Sequence, residues 1–202
     1  MKSKKKIVIC IILIIVIILG VIAYMALPKK EEEPQVKVIR NIKEYDYNLN
    51  DNETELYKEE FDNLYNILDS DEVNYDEYAK CVAKLFIIDF YTLDNKLSKN
   101  DIGGSDFIKP VMRDNFIEEA RSKFYKYLEV KSKNRTQKLP VVSEITEVLV
   151  ENTTFTYSDK TVDENAYKVT ISWDYKEDLG YEKETKMILV KENKKLYIVE
   201  MN

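Results

Sequence analysis

The sequence predicts an α+β fold: an N-terminal transmembrane helix, then about three helices packed on a curved four-stranded antiparallel meander. Three observations predict it. Residues 7–27 carry no charge; apolar residues recur at helical spacing between residues 52 and 128; and beyond "KSKNRTQKLP" the apolar period falls from 3.6 to 2 and stays there. A block of helices followed by a block of strands buries its apolar surfaces as helices on one face of a twisted sheet.

The first element is "MKSKKKIVICIILIIVIILGVIAYMALPKKEEEP". Its uncharged run from Ile7 to Leu27 has 21 residues. At about 1.5 Å per residue, that length matches a hydrocarbon core of roughly 30 Å. The apolar region of a cleaved leader normally stops at about 7–15 residues, and no small-x-small cleavage site stands out here. Cys10 lacks the small residues expected just before a lipidated cysteine. The expectation is an uncleaved anchor. Lys2, Lys4, Lys5 and Lys6 outweigh Lys29 and Lys30, which keeps the N-terminus cytoplasmic and sends residues 28–202 outward.

Three regions follow from this reading: a basic tip and anchor over 1–27, a linker and extended segment over 28–52, and an extracytoplasmic α+β domain over 53–202. All 37 acidic residues and 27 of the 31 basic ones lie beyond residue 27, leaving that part near −10. Such a balance argues against nucleic acid as a partner. Cys10 and Cys81 are the only cysteines and lie in different regions, so no disulfide framework is expected.

"PKKEEEPQ" is a short charged linker, and "VKVIRNIKEYDYNL" fits either an extended segment or a frayed helix. Asn52, with Glu55 three residues on, has the pattern of a helix start. Leu56, Tyr57, Phe61, Leu64, Tyr65 and Leu68 then form one apolar stripe. Asn74 with Glu77 repeats the start signal for a helix from about Tyr75 to Leu97. Of its 11 residues from Cys81 to Tyr91, 9 are apolar or aromatic, so it is buried on more than one side. "SKNDIGGSD" ends it, with Gly103–Gly104 giving turn freedom. A third helix is expected from about Ile108 to Leu128, with Pro110 in its first turn and Val111, Phe116, Ala120, Phe124, Tyr127 and Leu128 facing inward.

The strands come next. "VVSEITEVLVENTTFTYS" is β-branched and long enough to bend through a bulge. In "AYKVTISWDYKED", Tyr167, Val169, Ile171, Trp173 and Tyr175 face one way while Lys168, Thr170, Ser172, Asp174 and Lys176 face the other. "DLGY" turns, "YEKETKMILVKEN" returns, and "LYIVEMN" closes the sheet.

The segments "AKLFIIDFYTLDNKL", "FIEEARSKFYKYLEV" and "MILVKENKKLYIVEM", in that order behind an anchor, resemble the cone-shaped nuclear transport factor two-like superfamily. The likeness covers roughly residues 53 to 202 and lies in order and pattern, without a diagnostic motif. It implies a long helix lying across a strongly curved sheet, with an open end that is a pocket in enzymes and a docking surface in scaffolds. The anchored arrangement is similar to the bitopic assembly component of type IV secretion and conjugation machines. The overall wording also looks like an uncharacterised family of anchored proteins from AT-rich Gram-positive bacteria. The paired early strands typical of the superfamily are not obvious in this chain, unless residues 36–49 or 98–108 supply them.

Asp89 is the sharpest candidate residue, because an ionised carboxylate on an apolar helix face is costly unless paired. As a site it would be a general base of raised pKa, but the chain has no histidine to assist it. As structure, it would bond a tyrosine, Arg113, Arg121 or a backbone amide. Cys81 sits among Ala79, Val82, Ala83 and Leu85 and reads as core. "DSDE" lacks the ligand spacing and turn glycine of a calcium loop, and "DIGG" is no phosphate loop. The basic tract Arg121, Lys123, Lys126, Lys131, Lys133, Arg135 and Lys138 is the local exception to the acidic balance. It reads either as cations complementing a helix end or as a docking patch for an anionic polymer, lipid headgroups or an acidic partner.

The expectation for function is a non-enzymatic, cofactor-free scaffold of the bacterial envelope. It would be held in the lipid bilayer through residues 7–27 and would bind envelope proteins, within a conjugation or secretion assembly. A homo-oligomer is compatible with the sequence. The alternative is a ligand-binding or weakly catalytic cone with Asp89 in its pocket.

Overall fold

The computed structural model describes residues 36–132 and 134–202. The anchor expected over 7–27, Cys10, the linker ahead of residue 36, and Lys133 lie outside the described residues. Among the described residues, no helix is long and apolar enough to cross a membrane.

The domain is α+β, with three helices and a four-stranded antiparallel sheet. It opens with a hairpin of β1 (Val38–Ile42) and β2 (Tyr47–Asn50). This settles the segment that periodicity left between strand and helix. Asp46, in the left-handed region at φ 53°, lets the chain reverse, and Ile42, Tyr45, Tyr47 and Leu49 are buried in the main core. Folded structure therefore begins ahead of residue 53.

Helix α1 spans Glu55–Leu68 and is capped by Thr54, whose hydroxyl accepts the Tyr57 N–H at 3.2 Å. The cap therefore falls two residues after Asn52, whose amide instead donates to the Asn95 carbonyl and to Asp101, both at 3.4 Å. Helix α2 spans Tyr75–Tyr91, and the Asn74 side chain accepts from the Asp76 and Glu77 amides as its spacing predicts. It stops six residues short of Leu97 because the start of the sheet captures the chain. Leu93 N–H donates to the Pro140 carbonyl at 3.0 Å, and Thr92 Oγ1 accepts from Val142 N–H at 3.1 Å.

Helix α3 spans Pro110–Ser122, shorter than the helix expected to Leu128. At Lys123 the backbone leaves helical geometry, and the following turn sends Tyr125 into the core. There the Tyr125 hydroxyl donates to the Phe90 carbonyl at 2.8 Å and accepts from Gly103 N–H at 3.1 Å. Once the helical period is broken, Tyr127 lies on the surface, and Val111 on the first turn is 84% exposed. Neither faces inward as the spacing predicts.

Strands β3 (Val142–Thr156), β4 (Val162–Tyr175), β5 (Glu184–Glu192) and β6 (Lys195–Met201) pair in the order β3-β4-β5-β6. Val169, Ile171, Trp173 and Tyr175 point into the main core, with Met187 and Leu189 beside them on β5 and Leu196 and Ile198 on β6. Register irregularities in β3 at Val142/Glu144, Ile145/Glu147 and Thr153/Phe155 bend the strand. A second, smaller apolar cluster lies on the other face of the sheet. There Ala166, Val190 and Val199 are buried beneath Phe155 and Tyr157 from the end of the β3–β4 hairpin. Lys109 holds that end, donating to the Tyr157 hydroxyl at 3.2 Å and pairing with Glu192 at 3.1 Å.

Candidate functional site

Asp89 sits in the last turn of α2 and faces the loop that follows the helix. One of its oxygens accepts from the Lys96 ammonium, and the other accepts from Gly104 N–H at 2.6 Å. A Cβ on Gly103 would stand 2.6 Å from Asp89 Oδ1, so a side chain at position 103 cannot fit without moving the carboxylate. Gly104 adopts φ 74°, where L-residues are strained, and its own Cβ would meet Phe86. The paired glycines thus let the loop close on the carboxylate.

Lys96 is 1% exposed and lies between two acids, Asp89 and, at 3.8 Å, Glu53 from the β2–α1 junction. Burial lowers the pKa of the ammonium, but the charges of Asp89 and Glu53 more than offset this, and Lys96 stays protonated. Glu53 behaves in the opposite way. Its burial, reinforced by the negative charge of Asp89, outweighs the nearby Lys96 and raises its pKa to about 8. Its other oxygen accepts from the Asn95 amide at 3.2 Å. Near neutral pH Lys96 is therefore charged while Glu53 keeps its proton. The cluster fastens α2, the loop after it and the β2–α1 junction at one point.

Of the structural partners expected for Asp89, the backbone amide is present. Arg121 pairs with Glu118 instead, and the main partner is Lys96, which sequence reasoning passed over. Lys96 lies seven residues beyond Asp89, past the end of α2, and it is the loop after the helix that folds it back onto the carboxylate. Asp89, Lys96 and Glu53 also line a mostly polar depression of about 230 Å³, together with Asn48, Asn50 and Asp101.

Cys81 is buried, and its thiol donates to the Glu60 carbonyl at 3.5 Å. Burial pushes its pKa up, away from a reactive thiolate. Among the described residues, no group of three or more His, Cys, Asp or Glu side chains is placed to hold a metal ion.

Among the described residues of the basic tract, each cation has a partner within the domain. Arg121 pairs with Glu118, Lys123 with Glu119 at 3.3 Å, and Lys138 with Glu177 at 3.4 Å. Lys126 lies over the Tyr127 ring at 4.9 Å. Lys131 donates to the Asp94 carbonyl at 3.0 Å. Arg135 is committed to the backbone of the loop after α2, donating to the carbonyls of Lys96 at 2.9 Å and of Asp94.

An apolar groove of about 480 Å³ lies between the first turns of α3 and the end of β6. Phe86, Ile108, Phe116 and Ile198 line it, and the exposed Val111 and Met112 stand at its lip. It exists because Lys109 N–H bonds the Ile198 carbonyl at 3.1 Å, after which α3 turns away from the edge of β6. Sequence periodicity assigned Val111 to the core and so missed this lip. No protein-family model, curated protein or solved structure matches the chain.

Proposed function

We propose that this chain is a single-pass, membrane-anchored binding module of the bacterial envelope, with its α+β domain outside the membrane and a cone-like fold of the nuclear transport factor two-like kind. It acts by holding other proteins within an envelope assembly of the conjugation or secretion type, not by covalent chemistry. The observation that carries this reading is the α3–β6 groove, where Val111 and Met112 stand exposed beside an apolar floor. Apolar surface left open in this way is characteristic of interaction sites. The uncharged run over 7–27, with its lysines on one side, supports the anchoring and the orientation.

The test places a photo-crosslinking residue at Val111 of the full-length protein in whole cells. A discrete heteromeric adduct is expected, lost when Met112 is replaced by aspartate. An absence of adducts at Val111, with a working surface control, would count against the reading. Protease added to intact protoplasts is expected to remove the domain, and full protection would reverse the orientation. A second reading, a site for a small polar ligand, rests on the depression beside Asp89. A ligand that slows amide exchange around residues 96–106 would favour it.

A further inference from the structure

Strand β3 lies at one edge of the sheet, paired only with β4. Before that edge begins, the chain is covered, because the Pro140 carbonyl accepts from Leu93 N–H and Val142 N–H is held by Thr92. From Ser143 to Thr156, the side of the strand away from β4 makes no backbone hydrogen bond to another described residue. Between Glu147 and Thr153 the register with β4 runs without interruption, whereas bulges flank that stretch on both sides. Edge strands are commonly protected by bulges, lysines or covering loops. Here the bulges spare the middle of the edge.

Beside this open edge lies a groove of about 390 Å³, formed where α1 and α2 pass under β3. Leu56, Ile88, Ile145 and Val148 give it an apolar floor. Glu144 and Glu147 stand on its lip, exposed, and form no ion pair with another described residue. Glu60 in the groove is paired with Lys84 at 3.3 Å, and Glu151 farther along β3 with Lys168 at 3.1 Å. The surface beside the edge is therefore net negative. On the opposite side of the strand, Leu149 is 54% exposed.

We infer that the β3 edge from Glu144 to Thr153 receives an extended segment of a partner protein as an added strand, a segment in which basic residues alternate with apolar ones. Main-chain bonds to the open edge supply the pairing, as in strand addition generally. Apolar side chains of the segment enter the groove floor, and its cations meet Glu144 and Glu147. A second copy of this chain is a poor occupant, because strand-to-strand pairing would bring Glu144, Glu147 and Glu151 towards their own counterparts, and like charges facing each other across strands are destabilising. Residues 1–35 of the chain contain no run alternating basic with apolar residues. The inference adds a second contact surface to the binding module and rests on that reading for its partner.

The test uses full-length protein in detergent micelles and two short synthetic peptides, one alternating lysine with valine and one alternating glutamate with valine. The lysine peptide is expected to slow amide exchange over Glu147–Thr153 and to bind more weakly as salt rises. The double variant Glu144→Gln, Glu147→Gln, changed only at exposed positions, is expected to weaken it by about tenfold. Equal binding of both peptides, or protection elsewhere on the domain, would overturn the inference. So would protection of the edge by protein concentration alone, which marks a second copy. A crosslink from position 149 to residues 1–35 of the same chain would overturn it too. If the peptide fails while Val111 still forms its adduct in cells, the edge is excluded and the binding module stands.

Discussion

The ammonium of Lys96 rests on the carboxylate of Asp89, with Lys96 buried and Asp89 left partly open to the polar depression beside it. Removing one member of a buried ion pair leaves the other charge without compensation, at a cost of about 3–5 kcal/mol. Lys96→Met leaves two acids facing each other and is expected to show that full loss in urea denaturation. Asp89→Asn is expected to cost less, because Glu53 remains 3.8 Å from the ammonium and can ionise in its place. Equal stability of Lys96→Met and wild type would show that the pair contributes nothing to the fold.

Glu53 makes stability depend on pH in a direction unusual for an acid. Its folded pKa, about 8, lies above the ordinary value of 4.5, so the folded state holds a proton that the unfolded chain releases. The stabilisation is complete below pH 4.5 and disappears as pH rises through 8, on the order of a few kcal/mol in all. Unfolding measured between pH 5 and 9 is expected to show a falling slope in wild type that is largely absent in Glu53→Gln. A slope unchanged by that substitution would place the effect elsewhere.

Gly103 is the position where a single methyl group should matter most. Alanine there would press its Cβ against the Asp89 carboxylate, with backbone on the same side. Overpacking of this kind costs about 1–3 kcal/mol, and here it also disturbs the contact with Lys96. Calorimetry of Gly103→Ala is expected to show a clear fall in Tm. Gly180→Ala is the comparison, since nothing lies within 4 Å of its added Cβ and only its φ of 77° opposes the change.

Much of the architecture can be read from local pattern, because caps and alternation are local chemistry. Asn74 caps α2 through its own side chain, and the inward set from Val169 to Tyr175 follows from the two-residue period of a strand. What the pattern misses depends on distant partners. Helix α2 ends early because Pro140 and Val142 take its last groups, and α3 ends early because Tyr125 is drawn to Phe90 and Gly103. Lys96 in "LDNKLSK" has the appearance of a surface lysine, and only the approach of Asp89 and Glu53 makes it an interior cation. Asp89 stood out in the sequence because a charge among apolar neighbours is conspicuous. Its partner did not, because a lysine in a polar stretch is not.

The Phe155–Tyr157 end of the long hairpin lies over Ala166, Val190 and Val199, while the helices occupy the opposite side of the same strands. The hairpin end covers only part of that outer face, since Leu149 on β3 remains 54% exposed there. The β3 edge and the α3–β6 groove lie at opposite edges of the four-stranded sheet, so the two proposed contact surfaces are separated by its width.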